Sequence, residues 1–348
     1  MSTIFINETT SISTLPEGYS IRPARMEDLE ETVAVFNAAS RSLIGIEKYP
    51  LDIIRMEWLE PGFNQETDAR VVTNADGKIV AYGEVWDVSE PHVDVYCWGR
   101  VHPDFTGIGL GSALIAWQEE RAHQAIDKAP PEARVVMTCS VPSIDQASQK
   151  LVLDTGFRLI RYSLRMVVEL NEQPPDPKWS DGISIRTLQA NDVRAMIHAI
   201  DDAFKDHWGY VQHPFELEYE QWKHYMENNP EFDPTLCFLA VDGDEIAGIS
   251  ICEPKCHDDQ EMGWVGILGV RRPWRRKGLG LALLHHSFGE FYLRSKRKVG
   301  LEVDAQSLTG ATRLYSKAGM HPDPTREYSI FEKELRAGID IRTQTVRD

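Results

Sequence analysis

Five cationic side chains fall within seven residues, at Arg271, Arg272, Arg275, Arg276 and Lys277, and Gly278 and Gly280 follow them. The whole chain carries a net charge of −17, so a local basic cluster of this density points to a specific anion. Glycines let the backbone close around such a ligand, and successive turn N–H groups form an anion-binding concavity. The two common nucleotide patterns do not fit. A Walker loop needs Lys-Ser/Thr after its second glycine, but Leu281 and Ala282 follow Gly280; a dinucleotide fingerprint needs a third glycine where Leu283 stands. Arg-x-x-Gly-x-Gly does fit, at Arg275, Gly278 and Gly280. On the loop alone, a pyrophosphate cradle and a solvated basic turn with a glycine hinge both stay open.

The elements around the loop must position it. Trp264 to Val270 reads as a short buried strand, and Leu279 to Leu293 has the apolar spacing of an amphipathic helix. The N-terminus of that helix would offer unpaired N–H groups and a positive dipole end to an anion. Val299 to Asp304 reads as a further strand, then Ala311 to Met320 as a helix with Gly319 at its C-cap, and Glu327 to Glu332 as a closing strand. In this order, with Leu314-Tyr315 on the second helix, the segment closely resembles the central part of the GNAT-type N-acetyltransferases, and the basic loop resembles their coenzyme A pyrophosphate loop. The resemblance implies an α/β fold, a mixed sheet flanked by helices, and acetyl-CoA as co-substrate.

It also implies roles. Backbone groups of Leu268, Gly269 and Val270, on a strand that splays from its neighbour, would hold the pantetheine arm, with the Val270 N–H facing the thioester oxygen. Arg275, Arg276, Lys277, Gly278, Leu279 and Gly280 would hold the diphosphate. Tyr315 matches the family's general acid, and a phenol of pKa about 10 is protonated at neutral pH. Ser307 stands where many relatives have a pantetheine-binding Asn. The general base is open. Trp264 occupies the position where several relatives carry a catalytic Glu. Glu261 precedes it by three residues, His257 or Asp206 are alternatives acting through water, and an acceptor that arrives as a free amine is a further alternative.

With 348 residues the chain is longer than one ordinary domain, and an internal repeat accounts for this. One interval of 164 residues separates Gly18 from Gly182, Arg22 from Arg186 and Asp28 from Asp192. Asp76-Gly77 and Asp242-Gly243 both read as hairpin turns. His102 to Gly111 matches the basic loop, and Ser148 to Phe157 matches the helix of Tyr315. Two tandem GNAT-like domains are expected, at 17–170 and 182–336, joined by the Pro-rich linker Asn171 to Gly182. The arrangement resembles that of the mycothiol synthases. The halves are unequal: Thr106 stands in place of Arg275 and Val152 in place of Tyr315. The N-terminal half is therefore expected to be catalytically inactive, kept for packing, for shaping the cleft or for binding a coenzyme.

The acidic balance argues against nucleic acid and anionic membrane surfaces, and no apolar run has the length of a membrane span. Met1 to Pro16 lacks the features of a signal peptide. The five scattered cysteines read as free thiols in a reducing cytoplasm. Cys252, Cys256 and His257 lack the second ligand pair that a metal site needs, so no metal is expected. The residues from Arg336 onward are polar and read as frayed. The segment Ala203 to Tyr210, with Tyr219, Trp222, His224 and Tyr225, reads either as an acceptor pocket or as core aromatics. The expected activity is acetyl transfer from acetyl-CoA to the amine of a small molecule, by direct attack in a ternary complex; a monomer is compatible with the sequence. A non-catalytic acyl-CoA sensor and a protein N-terminus or lysine as acceptor are the alternatives.

Overall fold

The computed structural model describes residues 15–346. The expectation of no signal peptide concerns a stretch that lies, up to Thr14, outside the described residues. The N-terminal half contains β1 (Ser20–Pro23), α1 (Leu29–Ile44), α2 (Leu51–Trp58), the single turn α3 (Gln65–Asp68), β2 (Ala69–Thr73), β3 (Ile79–Trp86), β4 (Asp94–Val101), α4 (Leu110–Ala122), β5 (Val135–Pro142), α5 (Gln146–Asp154) and β6 (Arg158–Glu169). The C-terminal half repeats the order with β7 (Ile183–Thr187), α6 (Val193–Phe204), α7 (Phe215–Asn228), β8 (Cys237–Asp242), β9 (Glu245–Glu253), β10 (Met262–Val270), α8 (Leu279–Leu293), β11 (Lys298–Asp304), α9 (Ala311–Lys317) and β12 (His321–Arg336). Both halves open with the same device: Arg22 clamps Asp28 and Arg186 clamps Asp192, each pair bidentate at the first helix of its half.

All twelve strands form one sheet, in the order β1-β2-β3-β4-β5-β12-β6-β11-β10-β9-β8-β7. The last strand of each half is exchanged. β12 lies between β5 and β6, and β6 lies between β12 and β11. The sequence places the closing strand at 327–332, but β12 begins six residues earlier, at His321, and its main partners belong to the N-terminal half. At the centre Glu327 faces Leu164 and Tyr328 faces Ser163. Residues 163 and 327, and 164 and 328, are each separated by the repeat interval of 164, so a pseudo-dyad passes between these two pairs.

Only two neighbouring pairs are parallel, β4 with β5 and β10 with β11, and each has only three paired residues. Beyond Tyr96 and Trp264 the paired strands separate. Helices cover both faces of the sheet. Leu283, Leu284, Phe288 and Phe291 of α8 are buried on one face, and Met196, Ile197, Ala199 and Ala203 of α6 on the other. Gly263 makes room for α8, since a Cβ there would lie 2.4 Å from the Phe291 ring.

The segment after Arg336 is not frayed. Arg342 is buried and donates to Glu332 (2.8 Å) and Asp94 (2.9 Å). Thr343 exchanges backbone hydrogen bonds with the 209–210 turn. The polar character of this tail serves buried ion pairs, which a hydropathy reading cannot distinguish from a solvated end. Glu332 on β12 also accepts from Arg134 (2.6 Å) and Arg158 (2.9 Å). Burial pushes its carboxyl upward, but hydrogen bonds from the three arginines outweigh this and hold it at about 2. Removing one member of a buried ion cluster typically costs ~3–5 kcal/mol. Glu332→Gln should therefore lower unfolding stability by roughly 3 kcal/mol at neutral pH. The folded pKa lies below the unfolded value of about 4.3, so the deficit should be complete above that value and shrink as pH falls through about 2. Urea titrations of both proteins across this range would measure it.

Candidate active site

The separation of β10 from β11 leaves a gap whose walls are backbone. The pairing of β10 with β9 slips between Val265 and Ile267, leaving Gly266 as a bulge. Past the bulge, the Arg271 N–H bonds back to Ala247 at 3.0 Å. Antiparallel alternation then turns the backbone groups of Val270 and Leu268 away from β9, into the gap. Gly269 behaves otherwise. Its backbone faces β9, and its Cα presses on α6, where a Cβ would lie 2.9 Å from Ala203. Of the three residues expected to present free backbone groups, two do so and Gly269 makes room for the helix.

Tyr315 of α9 lines the gap with Val265, Gly266, Leu268 and Ser307, around a cavity of about 150 Å³. Its hydroxyl has no hydrogen-bond partner among the described residues, and burial pushes its pKa up to about 12. Ser307 caps α9 by accepting from Ala311 N–H (3.2 Å). Gly280 lets α8 and α9 touch, since a Cβ there would lie 3.1 Å from Leu314. The basic loop and the helix of Tyr315 are thereby fixed against each other.

The loop divides its cations into two groups. Arg275 does not point outward with the helix terminus. It donates to the Val270 carbonyl (2.9 Å), the Ala203 carbonyl (2.9 Å) and the Asp206 carboxylate. Arg272 also chelates Asp206, and Arg271 bonds Asp202 at 2.9 Å. Asp206 is wholly buried, and hydrogen bonds from Arg272, followed by Arg275, hold its carboxyl at about 2. A carboxylate so deeply ionised and doubly paired is not a general base, which corrects that expectation. Arg275 braces the loop because the buried Asp206 requires a counter-charge. Arg276 and Lys277 are exposed, with no side-chain partner among the described residues, beside Gly278, whose φ of +84° forms the helix N-cap. The N–H groups of Leu279 and Gly280 lie in the first turn of α8 and lack intrahelical acceptors.

Glu261 stands at the opposite end of β10 from Val270, roughly 30 Å along a strand rising ~3.3 Å per residue. The structure does not bring it to the gap. Another carboxylate is there instead. Glu253, the last residue of β9, pairs in register with Trp264. A Cβ on Gly266 would lie 3.6 Å from its Oε1. Burial raises its pKa to about 7, assisted by Glu231 and opposed by the Tyr225 hydroxyl, which donates at 3.4 Å. His257 Nε2 lies 3.8 Å from Glu253, and burial lowers its pKa. Sequence reasoning passed over Glu253 because it looked along β10 from Trp264, whereas the carboxylate reaches the same place from the adjacent strand. On the far side of Gly266 a cavity of about 540 Å³ is lined by Phe204, Tyr210 and Trp222, with Asp201, Glu218 and His92. The segment after α6 thus supplies pocket residues, while Tyr219 packs in the core and His224 bonds the Met56 carbonyl (2.9 Å).

In the N-terminal half Arg100 stands where Gly269 does, one residue before the end of its strand. Its guanidinium lies over Trp98 (4.4 Å) and donates to Tyr49 (3.2 Å). The cavity beside it is about 60 Å³. Val152, in the place of Tyr315, is buried in the core. A raised carboxyl pKa opposes folding above the unfolded value, and that cost grows from about 4.3 until the folded pKa of about 7 is passed. Glu253→Gln should therefore be more stable than the parent at pH 8, by about 2 kcal/mol, with the gain absent near pH 4. Denaturant midpoints at the two pH values would detect this.

Two regions of the chain, 33–151 and 195–320, match the model of the acetyltransferase (GNAT) family. The mycothiol acetyltransferase of Geodermatophilus obscurus is 27% identical over 259 residues, covering 72% of this chain and 77% of that protein. The crystal structure of a GCN5-related N-acetyltransferase from Sphaerobacter thermophilus aligns with a TM-score of 0.74 and 33% identity, covering 94% of this chain and 99% of that one. A tandem GNAT protein from the clavulanic acid biosynthesis pathway shares the fold at a TM-score of 0.66 and 14% identity, covering 92% of this chain and all of its own length (100%). Among the described residues no helix is long and apolar enough to cross a membrane. With two matched regions that together span most of its length, and with the gap, loop and helix in the places described, the chain belongs to the acetyltransferase (GNAT) family and is a tandem acyltransferase.

Proposed function

We propose that the C-terminal half transfers the acetyl group of acetyl-CoA to the amine of a small molecule, with both reactants held in one ternary complex. The observation that carries this is that Tyr315 and the splayed backbone at Gly266 and Leu268 line one cavity, with Glu253 Oε1 3.6 Å from the Cβ position of Gly266. The fit to coenzyme A rests on Arg276, Lys277 and the α8 N-terminus for the diphosphate and on the gap for the pantetheine arm. Acetyl-CoA, when bound, supplies the thioester. The Val270 N–H is aimed where the carbonyl oxygen gains charge, and donors preorganised in a water-poor site contribute strongly there. Glu253 takes the proton lost by the attacking amine, directly or through water; a pKa of about 7 suits a base at neutral pH. As the C–N bond forms and the C–S bond breaks, Tyr315 donates a hydrogen bond to the departing sulfur. Burial keeps its hydroxyl protonated for that task.

The acceptor is assigned to the cavity of about 540 Å³, whose size suits a small molecule and whose Asp201 and Glu218 suit an amine. Similarity to a mycothiol acetyltransferase favours a small-molecule acceptor over a protein terminus. The N-terminal half is assigned no transferase chemistry, since Arg100 and Val152 replace the groups that chemistry needs.

Tyr315→Phe and Glu253→Gln should each lower kcat by ~10²-fold or more. The parent rate should rise with pH through about 7 as Glu253 ionises, and the Gln variant should lose that limb. Turnover with an amine panel, unchanged in both variants, would overturn the assignment. For the coenzyme, paired Arg276→Ala and Lys277→Ala changes should weaken acetyl-CoA binding about tenfold without loss of stability. Arg275→Ala should lower stability as well as affinity, because it frees Asp206 and the Val270 carbonyl. Calorimetric titration and thermal unfolding of the variants separate the two roles.

A further inference from the structure

A second cavity, of about 530 Å³, lies in the N-terminal half between α1, α2 and the β3–β4 pair. It is the pseudo-symmetric counterpart of the acceptor cavity. Ser89 to Asp94 of the N-terminal half close one, and Gln221 and His257 of the C-terminal half close the other. The chemistry of its walls differs. Tyr49, Trp58, Trp86, Tyr96 and Trp98 supply aromatic faces, and their packing is rigid: Trp58 stacks on Tyr82, Trp86 on Phe63, and Trp98 meets Phe36 edge-on at 4.7 Å.

Three carboxylates, Glu57, Glu60 and Glu84, open into this aromatic enclosure. Among the described residues none of them pairs with a lysine or arginine. Glu84 accepts from the Tyr82 hydroxyl (2.6 Å) and the Trp86 indole, and Glu60 lies 4.0 Å from His224. The Glu57 side chain is exposed and has no hydrogen-bond or ion-pair partner among the described residues. Lys48 also lines the cavity, with its ammonium donating to Tyr328 (2.6 Å), and Arg100 donates to Tyr49 and the Gly99 carbonyl. Desolvation within the cavity, with Glu84 and Glu60 adding repulsion, raises Glu57 to about 8. Carboxylates that face aromatic walls and form no direct ion pair with a lysine or arginine attract a cation from outside. A metal does not answer to this, since no three His, Cys, Asp or Glu among the described residues converge on one point. Indole and phenol faces do answer to an organic cation, which they attract through the ring quadrupole.

We propose that this N-terminal cavity is a second ligand site, built to hold an alkylammonium group between its aromatic walls and Glu57. It is distinct from the acceptor cavity, although His257 at its wall lies 3.8 Å from Glu253, and it goes beyond the transferase reading. The half that lacks transferase chemistry has kept a binding cavity and changed its lining.

The probe is choline, compared with its uncharged carbon isostere, in which a tert-butyl group replaces the trimethylammonium group. Titration of the full chain at about pH 8.5, where more of the carboxylates are ionised, is followed by calorimetry and by tryptophan fluorescence. Saturable choline binding with a change in tryptophan emission is expected, and binding of the isostere should be at least about tenfold weaker. Glu57→Gln should weaken choline by a similar factor while acetyl-CoA binding stays unchanged; Glu218→Gln, in the acceptor cavity, should leave choline binding intact. Absence of choline binding, or equal binding of the isostere, overturns the proposal. So does loss of choline binding in Glu218→Gln but not in Glu57→Gln, which would place the cation in the acceptor cavity of the C-terminal half. If Glu57→Gln folds poorly, as judged by circular dichroism, Glu60→Gln provides the same comparison.

Discussion

Neither β5 nor β11 has a partner of its own half on its inner side. Each would present a row of unpaired N–H and C=O groups, and each is covered by the last strand of the opposite half. The antiparallel contact of β6 with β12 joins the two exchanges and makes one sheet of two repeats. Much else depends on this contact. It fixes β11, and β11 is one wall of the gap that holds Tyr315. The tail beyond β12 then folds back through Arg342 and Thr343 and secures the turn after α6 that carries Asp206 and Tyr210. Cleft geometry in the C-terminal half is therefore held partly from the N-terminal half.

Within the cleft the main electrostatic device is a buried, ionised Asp206. Its two arginine partners draw the basic loop down onto the end of α6, and Arg275 passes the constraint to the Val270 carbonyl. A residue whose N–H and C=O both face the gap is thus fixed through its carbonyl, leaving the N–H as a positioned donor. The same loop leaves Arg276 and Lys277 exposed. Braced and unbraced charge are separated over three residues.

The two halves show how a repeat diverges without losing its fold. The Arg-Asp clamps, the hairpins and the glycine-capped helices are shared. The differences lie in single side chains at the splayed strands. Gly269 leaves space beside α6, and Arg100 fills it. Glu253 places a carboxylate at one cavity, and in the register of the pairing strands Trp86 takes its place in the other.

The sequence alone determined the local elements and their order. The basic glycine loop, the amphipathic α8, the helix of Tyr315 and the 164-residue interval all rest on interactions between near neighbours, whose periodicity is written directly in the chain. The family likeness and the exchange of Arg275 for Thr106 and of Tyr315 for Val152 between the halves were legible for the same reason. What only the tertiary structure decided was which side chains meet across large separations. The destination of β12, the inward turn of Arg275, the burial of the polar tail and the arrival of Glu253 beside Gly266 all depend on strand register and on long-range ion pairs. No local pattern encodes these, because their energies come from partners tens to hundreds of residues away. Glu261 and Glu253 are both carboxylates near the same strand in sequence. Only the pairing of β9 with β10 distinguishes the one at the cleft from the one at the far end.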